Sequence, residues 1–511
     1  MKQSLQKRYF AKLFANIVGL GFGVAIAIIV PRGLGPRSYG DYNFLSTTFL
    51  GLMGFFTLST STGFFVKLSQ RQEEFGLISF YGRLNLVSII ALFIFIIGSQ
   101  LLGVSKLLWI DQPNDIVYLA ALFGVVSWLL QIVTQVVDAY GLTVGSEMAR
   151  ILQKSIGLIM ITLLFVSKEL TLSSYFYYNI IISIGLIVAF IWIIKRNNYS
   201  FFQSWKLQKE QIRNYIKEFG EYSRPLLLFS FVIFFCGFYD RWLLQKFGGS
   251  IEQGFFGLSN QIAAVCFLFS SAFIPLITRE LSILFSNNDI QGMTHLFRRY
   301  VPLLFGITAF LACFTAVQAD KVAVIFGGDQ YKDAVMPVLI MSLYPIHQTY
   351  GQVTASLFFA TGKTKLYSQI SILFLVIGVP IIYFTLAPLS NFGLDSGATG
   401  LAIKFVSIQF IGVNVQLFYN VKFLNLRFIH FFLHQFISVG FFISIAIIAK
   451  TLINGFNIYH NNLLLNLLIA GLLYTALAGM FIYYFPVILG LKKDDIRNAI
   501  YRLSVYIKDK F

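Results

Sequence analysis

Long apolar runs separated by short polar segments recur along the whole chain. A helix that crosses a bilayer needs about 20 mostly apolar residues, and by this rule the pattern predicts about fourteen spans. The pattern is that of an all-α polytopic membrane protein. The predicted spans cover approximately residues 9–30, 42–66, 84–105, 115–137, 150–167, 174–194, 225–246, 255–278, 300–319, 335–360, 366–388, 398–419, 431–453 and 464–485.

The composition excludes a soluble protein. The 511 residues are 57% hydrophobic and 12% charged, whereas an ordinary globular domain carries about 25% charged residues. The net charge of +17 indicates topology and contact with anionic headgroups, because this is the usual origin of a basic excess in a membrane protein. Nucleic acid is therefore not an expected partner. The three cysteines lie inside apolar runs without paired spacing, which favours buried apolar side chains over disulfides or metal ligands.

Lysine and arginine are distributed unequally between alternate polar segments. If the N-terminus is inside, 29 of the 39 basic residues fall in inner segments and 8 in outer turns. Since cytoplasmic loops carry an excess of basic residues, both termini are predicted to be cytoplasmic. The first apolar run is long enough to span and is followed by no A-x-A cleavage site, so we interpret it as a retained helix.

The segment 31–44, with the sequence PRGLGPRSYGDYNF, is predicted to turn outside the lipid on the outer side. Residues 34–45 align with 247–258, with one extra residue in the second copy, which places Gly40 over Gly254, and AYG at 139–141 aligns with ATG at 360–362. Each repeat would hold six helices, an even number, so the two halves should be parallel.

Four domains follow from this repeat. The loop between the halves has helical spacing of apolar residues among Lys and Arg, which predicts an amphipathic helix on the inner leaflet. The predicted domains are an N-terminal six-helix bundle at 1–194, this cytoplasmic linker at 195–224, a C-terminal six-helix bundle at 225–420, and two extra transmembrane helices with a basic cytoplasmic tail at 421–511.

Two predicted spans carry matching polar stripes. Polar side chains that face hydrocarbon have no partners, so these stripes line a water-filled cavity or hydrogen-bond to neighbouring helices. Both interpretations stay open. The residues are Ser127, Gln131 and Gln135 in the fourth span, Gln348, Gln352 and Ser356 in the tenth, and the weaker layer of Asn260 and Gln261 in the eighth.

Basic residues near the outer ends of three spans are candidates for substrate binding. Arg32 closes the first span, Arg241 lies in the outer third of the seventh, and Lys404 lies in the outer part of the twelfth. A charge at the bilayer centre costs about 2.5–3.5 kcal/mol. Arg241 and Lys404 either extend to the outer surface or form a cationic cavity for an anionic substrate.

Acidic residues near the same spans are candidates for ion coupling. Asp240 precedes Arg241, but neighbours in a helix point about 100° apart and cannot simply pair with each other. Asp41 lies in the outer turn, and Asp138 ends the stripe of the fourth span. We predict that these three carboxylates act as proton or cation sites. No P-loop and no Cys/His metal cluster is found, so no cofactor, metal or enzymatic activity is predicted.

Several loose motifs in order resemble one family. They are RGLGPRSYGDYNFL after the first span, YDRWLLQKFGG and GFFGLSNQIA across spans seven and eight, VIFGGDQYKDAV before span ten, LFFATGKTK after it, and GATGLAIKF at the start of span twelve. With these motifs the chain resembles a polysaccharide-unit (O-antigen or capsule, Wzx-like) flippase of the multidrug/oligosaccharidyl-lipid/polysaccharide (MOP) exporter superfamily.

The resemblance implies a fold and a function. It implies two six-helix bundles around a central cavity, two extra helices, and movement of undecaprenyl-pyrophosphate-linked oligosaccharides across the bacterial cytoplasmic membrane by alternating access, coupled to an ion gradient. Arg32, Arg241 and Lys404 suit pyrophosphate binding, because phosphates prefer cationic donors. The partners expected are the lipid-linked oligosaccharide, membrane lipids, and polysaccharide polymerase and chain-length proteins. The alternatives are a drug/cation antiporter, a peptidoglycan-precursor flippase of the same fold, and a membrane enzyme such as a polymerase.

Overall fold

The computed structural model describes residues 5–57, 60–72, 74–197, 199, 207–455 and 462–491. Every regular element in these residues is helical, and ten helices among them are long and apolar enough to cross a membrane. These findings confirm the predicted all-α polytopic membrane protein. Residues 200–206 of the predicted linker and 494–511 of the predicted tail lie outside the described residues.

The chain divides into two compact units, Met1–Gly254 and Phe255–Phe511. This boundary falls inside one long helix, α8, whereas the domain limits predicted from the sequence stay a prediction. The helices up to that point are α1 (Leu5–Phe56), α2 (Thr60–Gln70), α3 (Phe75–Leu101), α4 (Ser105–Leu108), α5 (Asn114–Ala139), α6 (Thr143–Val166), α7 (Leu172–Arg196) and α8 (Lys209–Ser286).

The second unit contains the end of α8 and eight further α-helices among the described residues. Short 3₁₀ turns lie at Asp329–Ala334, Leu389–Asn391 and Pro486–Leu489. The α-helices are α9 (Ile290–Val317), α10 (Ala319–Gly327), α11 (Val335–Met341), α12 (Tyr344–Ala360), α13 (Thr364–Leu386), α14 (Gly397–Phe423), α15 (Phe428–Gly455) and α16 (Leu463–Tyr484).

Two glycines kink the longest helices at equivalent positions of the repeat. Gly35 in α1 has φ 73° and ψ 169°, and Gly249 in α8 has φ 71° and ψ −171°. Only glycine adopts this region without strain. The predicted outer turn is therefore a sharp kink at which one helix ends and the next begins. Gly141 and Gly362, which the second sequence match aligns, also share a positive φ, 72° and 70°.

Two predicted spans are not continuous helices. The predicted span 42–66 is interrupted after Phe56, where Thr57 donates to the Met53 carbonyl and Thr60 donates to the Thr57 carbonyl. The predicted span 335–360 is divided between α11 and α12. Pro345 explains the second break, because proline lacks an N–H and disfavours helix at the preceding residue. Hydropathy marks these segments as apolar but does not report such breaks.

The first unit is built around α1, which packs against α5 and α6, while α5 also packs against α7. Large aromatic side chains fill this core; the rings of Phe64 and Tyr81 stack at 4.1 Å. Side chains such as Ile94 and Leu163 are 64% exposed, as expected for lipid-facing positions. In the linker part of α8, Tyr215 and Phe219 are buried against Phe80, so this apolar face contacts protein.

Candidate functional site

The two glycines that the repeat aligns, Gly40 and Gly254, lie at a close crossing of α1 and α8. A Cβ atom at Gly40 would collide with the carbonyl oxygen of Ser250, and one at Gly254 would collide with that of Pro36. Only glycine permits backbones to approach so closely. The crossing therefore brings the predicted outer turn into direct contact with its repeat.

The crossing positions Asp41, one of the predicted ion-coupling residues. One oxygen of its half-buried carboxylate accepts from the Ser250 hydroxyl at 2.5 Å and from the Gln112 amide at 2.6 Å. The Gln245 amide in turn donates to Ser250 at 3.1 Å. Burial raises the pKa of Asp41, and the hydrogen bonds from Ser250 and Gln112 offset this effect only in part. Asp41 is thus held in a network contributed by three separate segments of the first unit.

Arg241 and Asp240 are both buried in α8, at 9% and 4% exposure. The Arg241 guanidinium donates to the Gln253 side-chain oxygen at 3.2 Å, and the Gln253 amide donates back to the Arg241 carbonyl at 2.5 Å. Arg241 therefore does not extend to the surface. We call Asp41, Gln112, Arg241, Ser250 and Gln253 the outer-end cluster.

The remaining site residues predicted in the first unit are more accessible. Arg32 in α1 is exposed, and Gln131 is the most accessible member of the α5 stripe. Ser127 and Asp138 are half-buried, and Gln135 donates to the Ser61 hydroxyl at 2.6 Å. Asp41 and Arg241 therefore lie near the crossing of α1 and α8, whereas Arg32 and Gln131 are exposed.

The matching stripe on α12 is hydrogen-bonded within the second unit. The Gln348 oxygen accepts from Gln409 of α14 at 2.8 Å, and the buried Ser356 hydroxyl accepts from Thr278 of α8 at 2.7 Å. Gln352 is half-buried on the same helix. Such bonds join neighbouring helices in the absence of water.

Beside this stripe, the Thr349 hydroxyl bonds to Ser270 at 2.9 Å and to Thr308 at 3.0 Å. These three hydroxyls are at most 1% exposed, and they belong to α12, α8 and α9. We call Thr349, Ser270, Thr308, Gln348 and Gln409 the α12 network. In the weaker predicted layer, Asn260 is exposed and Gln261 is half-buried.

Lys404 is buried in α14 at 5% exposure, so it does not reach the surface as one interpretation proposed. Its ammonium lies 4.9 Å from the centre of the Phe405 ring, a cation–π distance. The side chain passes across Gly378 of α13, where a Cβ would lie 2.7 Å from the Lys404 Cε. Gly378 therefore makes room for the lysine.

Sequence reasoning missed the neutral side chains that hold the charged ones. Ser250 and Gln253 lie in FGGSIEQG, the repeat of the outer turn, Gln245 lies at the end of a predicted span, and Gln112 lies in a short turn between two predicted spans. The alignment of Gly40 with Gly254 was a usable signal, since polar residues beside a close crossing meet one another. Among the described residues no group of three or more His, Cys, Asp or Glu side chains is placed to hold a metal.

The fold is similar to solved membrane transporters. The lipid II flippase MurJ in an inward closed conformation matches with a TM-score of 0.64 at 16% identity, covering 94% of this chain and 99% of that one. An inward-facing multidrug resistance MATE family transporter of the MOP superfamily matches at 0.57 with 12% identity, covering 80% and 94%. A MOP superfamily transporter from Pyrococcus furiosus matches at 0.53 with 13% identity, covering 83% and 97%.

No family model matches the chain, and no curated protein matches it significantly. The structural matches extend over most of the chain, so the protein has the fold of MOP-superfamily transporters. At identities of 12–16% they define the fold, while the substrate has to be argued from the residues of this chain.

Proposed function

We propose that this protein is a flippase that moves undecaprenyl-pyrophosphate-linked oligosaccharide repeat units across the bacterial cytoplasmic membrane, for O-antigen, capsule or exopolysaccharide synthesis. The observation that carries the proposal is a buried cation in each unit, Arg241 in the first and Lys404 in the second. Buried charge in a membrane segment is costly and marks substrate or ion pathways. Cations suit a pyrophosphate, whereas a site for cationic drugs would require acidic side chains.

The proposed roles of the charged residues follow from this substrate. Arg32, Arg241 and Lys404 bind the anionic headgroup, and Asp240, Asp41 and Asp138 couple transport to an ion gradient. We expect Arg241→Ala and Lys404→Ala to impair export of surface glycan while protein levels stay unchanged. Normal surface glycan in both variants would contradict the cationic-site part of the proposal.

A further variant tests whether the position of Lys404 matters when its charge is retained. Gly378→Ala adds a methyl group 2.7 Å from the Lys404 Cε, and the flexible side chain can move aside. We expect reduced export with little loss of stability, because the charge is retained but displaced. Gly440→Ala is the matched control, since nothing lies within 4 Å of its added Cβ. Equal export by the two variants would argue against a role for the position of Lys404.

Alternating access requires the outer end to open, and the crossing at Gly40 and Gly254 is the contact that we propose must separate. The side chains of Asp41 and Ser250 touch there. We expect a disulfide in an Asp41→Cys/Ser250→Cys variant to abolish transport, and reduction to restore what the single variants retain. Full transport with the disulfide formed would contradict a moving outer end.

A peptidoglycan-precursor flippase is the second candidate. It is favoured by the similarity to MurJ, a lipid II flippase that matches over 94% of this chain. Depleting the protein from cells distinguishes the two. Lost surface polysaccharide with repeat units stranded on the inner leaflet supports the first candidate, whereas lysis with accumulated peptidoglycan precursor supports the second. If the protein is a drug/cation antiporter, its depletion should produce neither result and should increase drug sensitivity instead.

The surroundings of the protein are part of the same proposal. We place it in the bacterial inner membrane with both termini cytoplasmic, near polysaccharide polymerase and chain-length proteins. The division into bundles at 1–194 and 225–420, a linker at 195–224 and an extra segment at 421–511 belongs to it as well. Reporter fusions at each predicted loop test the orientation, and fusions at both termini should report the cytoplasmic side.

A further inference from the structure

A pocket of about 510 Å³ lies at one end of the second unit, away from the residues discussed so far. Its lining comes from the beginning of α9, the loop between α14 and α15, the first turns of α15, and the 3₁₀ turn after α16. The distribution of Lys and Arg predicts that this end faces the cytoplasm. The volume is within the range of small-molecule sites.

The polar lining is basic. Arg298 and Arg427 contribute two guanidinium groups and His430 and His434 two imidazoles, while none of the lining residues that the structure describes is acidic. A positive-inside bias accounts for basic residues at this end. It does not explain why these residues line the same pocket, because the bias concerns only the number of basic residues in each loop.

His434 adds a second observation. Its Nε2 lies 2.9 Å from the carbonyl oxygen of Ile488, which makes Nε2 the donor and leaves Nδ1 as an acceptor in the neutral ring. That Nδ1 is buried and has no hydrogen-bond partner among the described residues. One ring nitrogen of His434 is therefore bonded and the other is enclosed, so the two arginines supply the hydrogen-bond donors of the pocket.

The remaining lining is apolar and includes Pro302, Leu426, Phe431 and Val487. A free anion would gain little from these side chains. A lipid headgroup would have its phosphate at the arginines and its first methylene groups at the apolar residues, because arginine presents paired donors to phosphate oxygens. Basic pockets between helices on the cytoplasmic side commonly hold such headgroups.

We propose that this pocket binds a phosphate-bearing lipid headgroup from the inner leaflet. The pocket lies within the second unit and includes none of the residues proposed for transport. The proposal therefore stands independently of the proposed function.

Native mass spectrometry of the purified full-length protein, titrated with phosphatidylglycerol, tests the proposal. In Arg298→Gln/Arg427→Gln we expect the Kd to rise at least about tenfold, since a charge-assisted hydrogen bond contributes about tenfold or more. The control is Arg279→Gln/Lys422→Gln, which removes the same charge from other predicted inner positions and should change the Kd less than about twofold. The single variant Arg427→Gln serves if the double variant is not monodisperse.

Three results would overturn the proposal: no saturable binding to the wild-type protein, equal weakening in pocket and control variants, or inorganic phosphate binding as tightly as the lipid. Phosphatidylcholine should bind much more weakly, because its cationic headgroup meets two arginines. Competition with undecaprenyl pyrophosphate identifies the source. Stronger competition than by phosphatidylglycerol assigns the pocket to a carrier lipid, and weaker competition assigns it to a bulk phospholipid.

Discussion

The outer-end cluster and the α12 network differ in how their polar side chains find hydrogen-bond partners inside a membrane protein. The cluster holds charged side chains at a backbone crossing that only glycine permits, with Asp41 and Arg241 bonded to neutral partners. The α12 network joins helices through neutral hydroxyls and amides. In the outer-end cluster, charged side chains have partners that a close backbone contact positions. In the α12 network, neutral side chains pair where helices pack against each other. This difference predicts different responses to substitution.

The largest effect is expected at the crossing. Gly40→Ala or Gly254→Ala places a methyl group against a backbone carbonyl that cannot move aside, so we expect a loss of about 1–3 kcal/mol in stability. Gly98→Ala, where the added atom meets nothing within 4 Å, is the control. The fraction that stays monodisperse after heating in detergent measures the loss. If Gly40→Ala behaved like Gly98→Ala, the two backbones would not be in the close contact that we describe.

A smaller loss is expected in the α12 network. Thr349→Val keeps the shape of the side chain but removes the hydroxyl that joins α12 to Ser270 and Thr308. Hydrogen bonds between membrane helices contribute about 0.6 to 1.7 kcal/mol, so we expect a loss in that range by the same heating assay. Thr475→Val, at an exposed threonine of α16 that bonds only to its own helix, should be neutral. A greater loss of stability in Thr349→Val than in Gly40→Ala would contradict the expected order of the two regions.

Acid should weaken a charged contact of the first unit. Glu218 in the linker part of α8 contacts Lys67 and Arg71, the latter at 2.6 Å. Burial raises the pKa of Glu218, but Lys67 and Arg71 outweigh burial and hold that pKa below its usual value. A lowered folded pKa means that the stabilisation is complete above the ordinary carboxyl pKa of about 4.3 and is lost as the pH falls through the folded pKa.

Hydrogen exchange of residues 209–220, corrected for intrinsic rates, measures this contact. We expect faster exchange at pH 3 than at pH 7, and Glu218→Gln should raise the pH 7 rate toward the acid value. The side chain is 34% exposed, so solvent screening limits the effect to about 1 kcal/mol or less. Glu210→Gln, at an exposed residue of the same helix, is the control.

The smallest stability effect is expected at the accessible stripe of α5. Cysteine at Gln131 should leave the melting behaviour unchanged and react with a water-soluble thiol reagent, because this side chain is exposed. Cysteine at Gln352 tests the half-buried equivalent on α12. The native cysteines are all buried and should react slowly. Complete protection of both introduced cysteines in every state would favour helix packing over a cavity lining for these stripes.

Much of the fold was predictable from local sequence. Hydropathy located most of the long helices, and the alignment of Gly40 with Gly254 and of Gly141 with Gly362 identified positions that share a conformation or a contact. The break before Pro345 was only partly predictable, since a proline within an apolar run can also merely kink a helix. In the candidate site, Asp41 and Arg241 were recognisable as charges near spans, but their partners Ser250 and Gln253 were not.

The sequence by itself determined that this is an all-α membrane protein with a repeated glycine-containing segment, because apolar run length and the positions of glycines are local properties. Only the tertiary structure decided which groups meet. Asp41 and Ser250 are 209 residues apart, and the pocket brings Arg298 of α9 together with Arg427 of the loop between α14 and α15. Such contacts depend on how helices pack, and many packings are compatible with one hydropathy pattern.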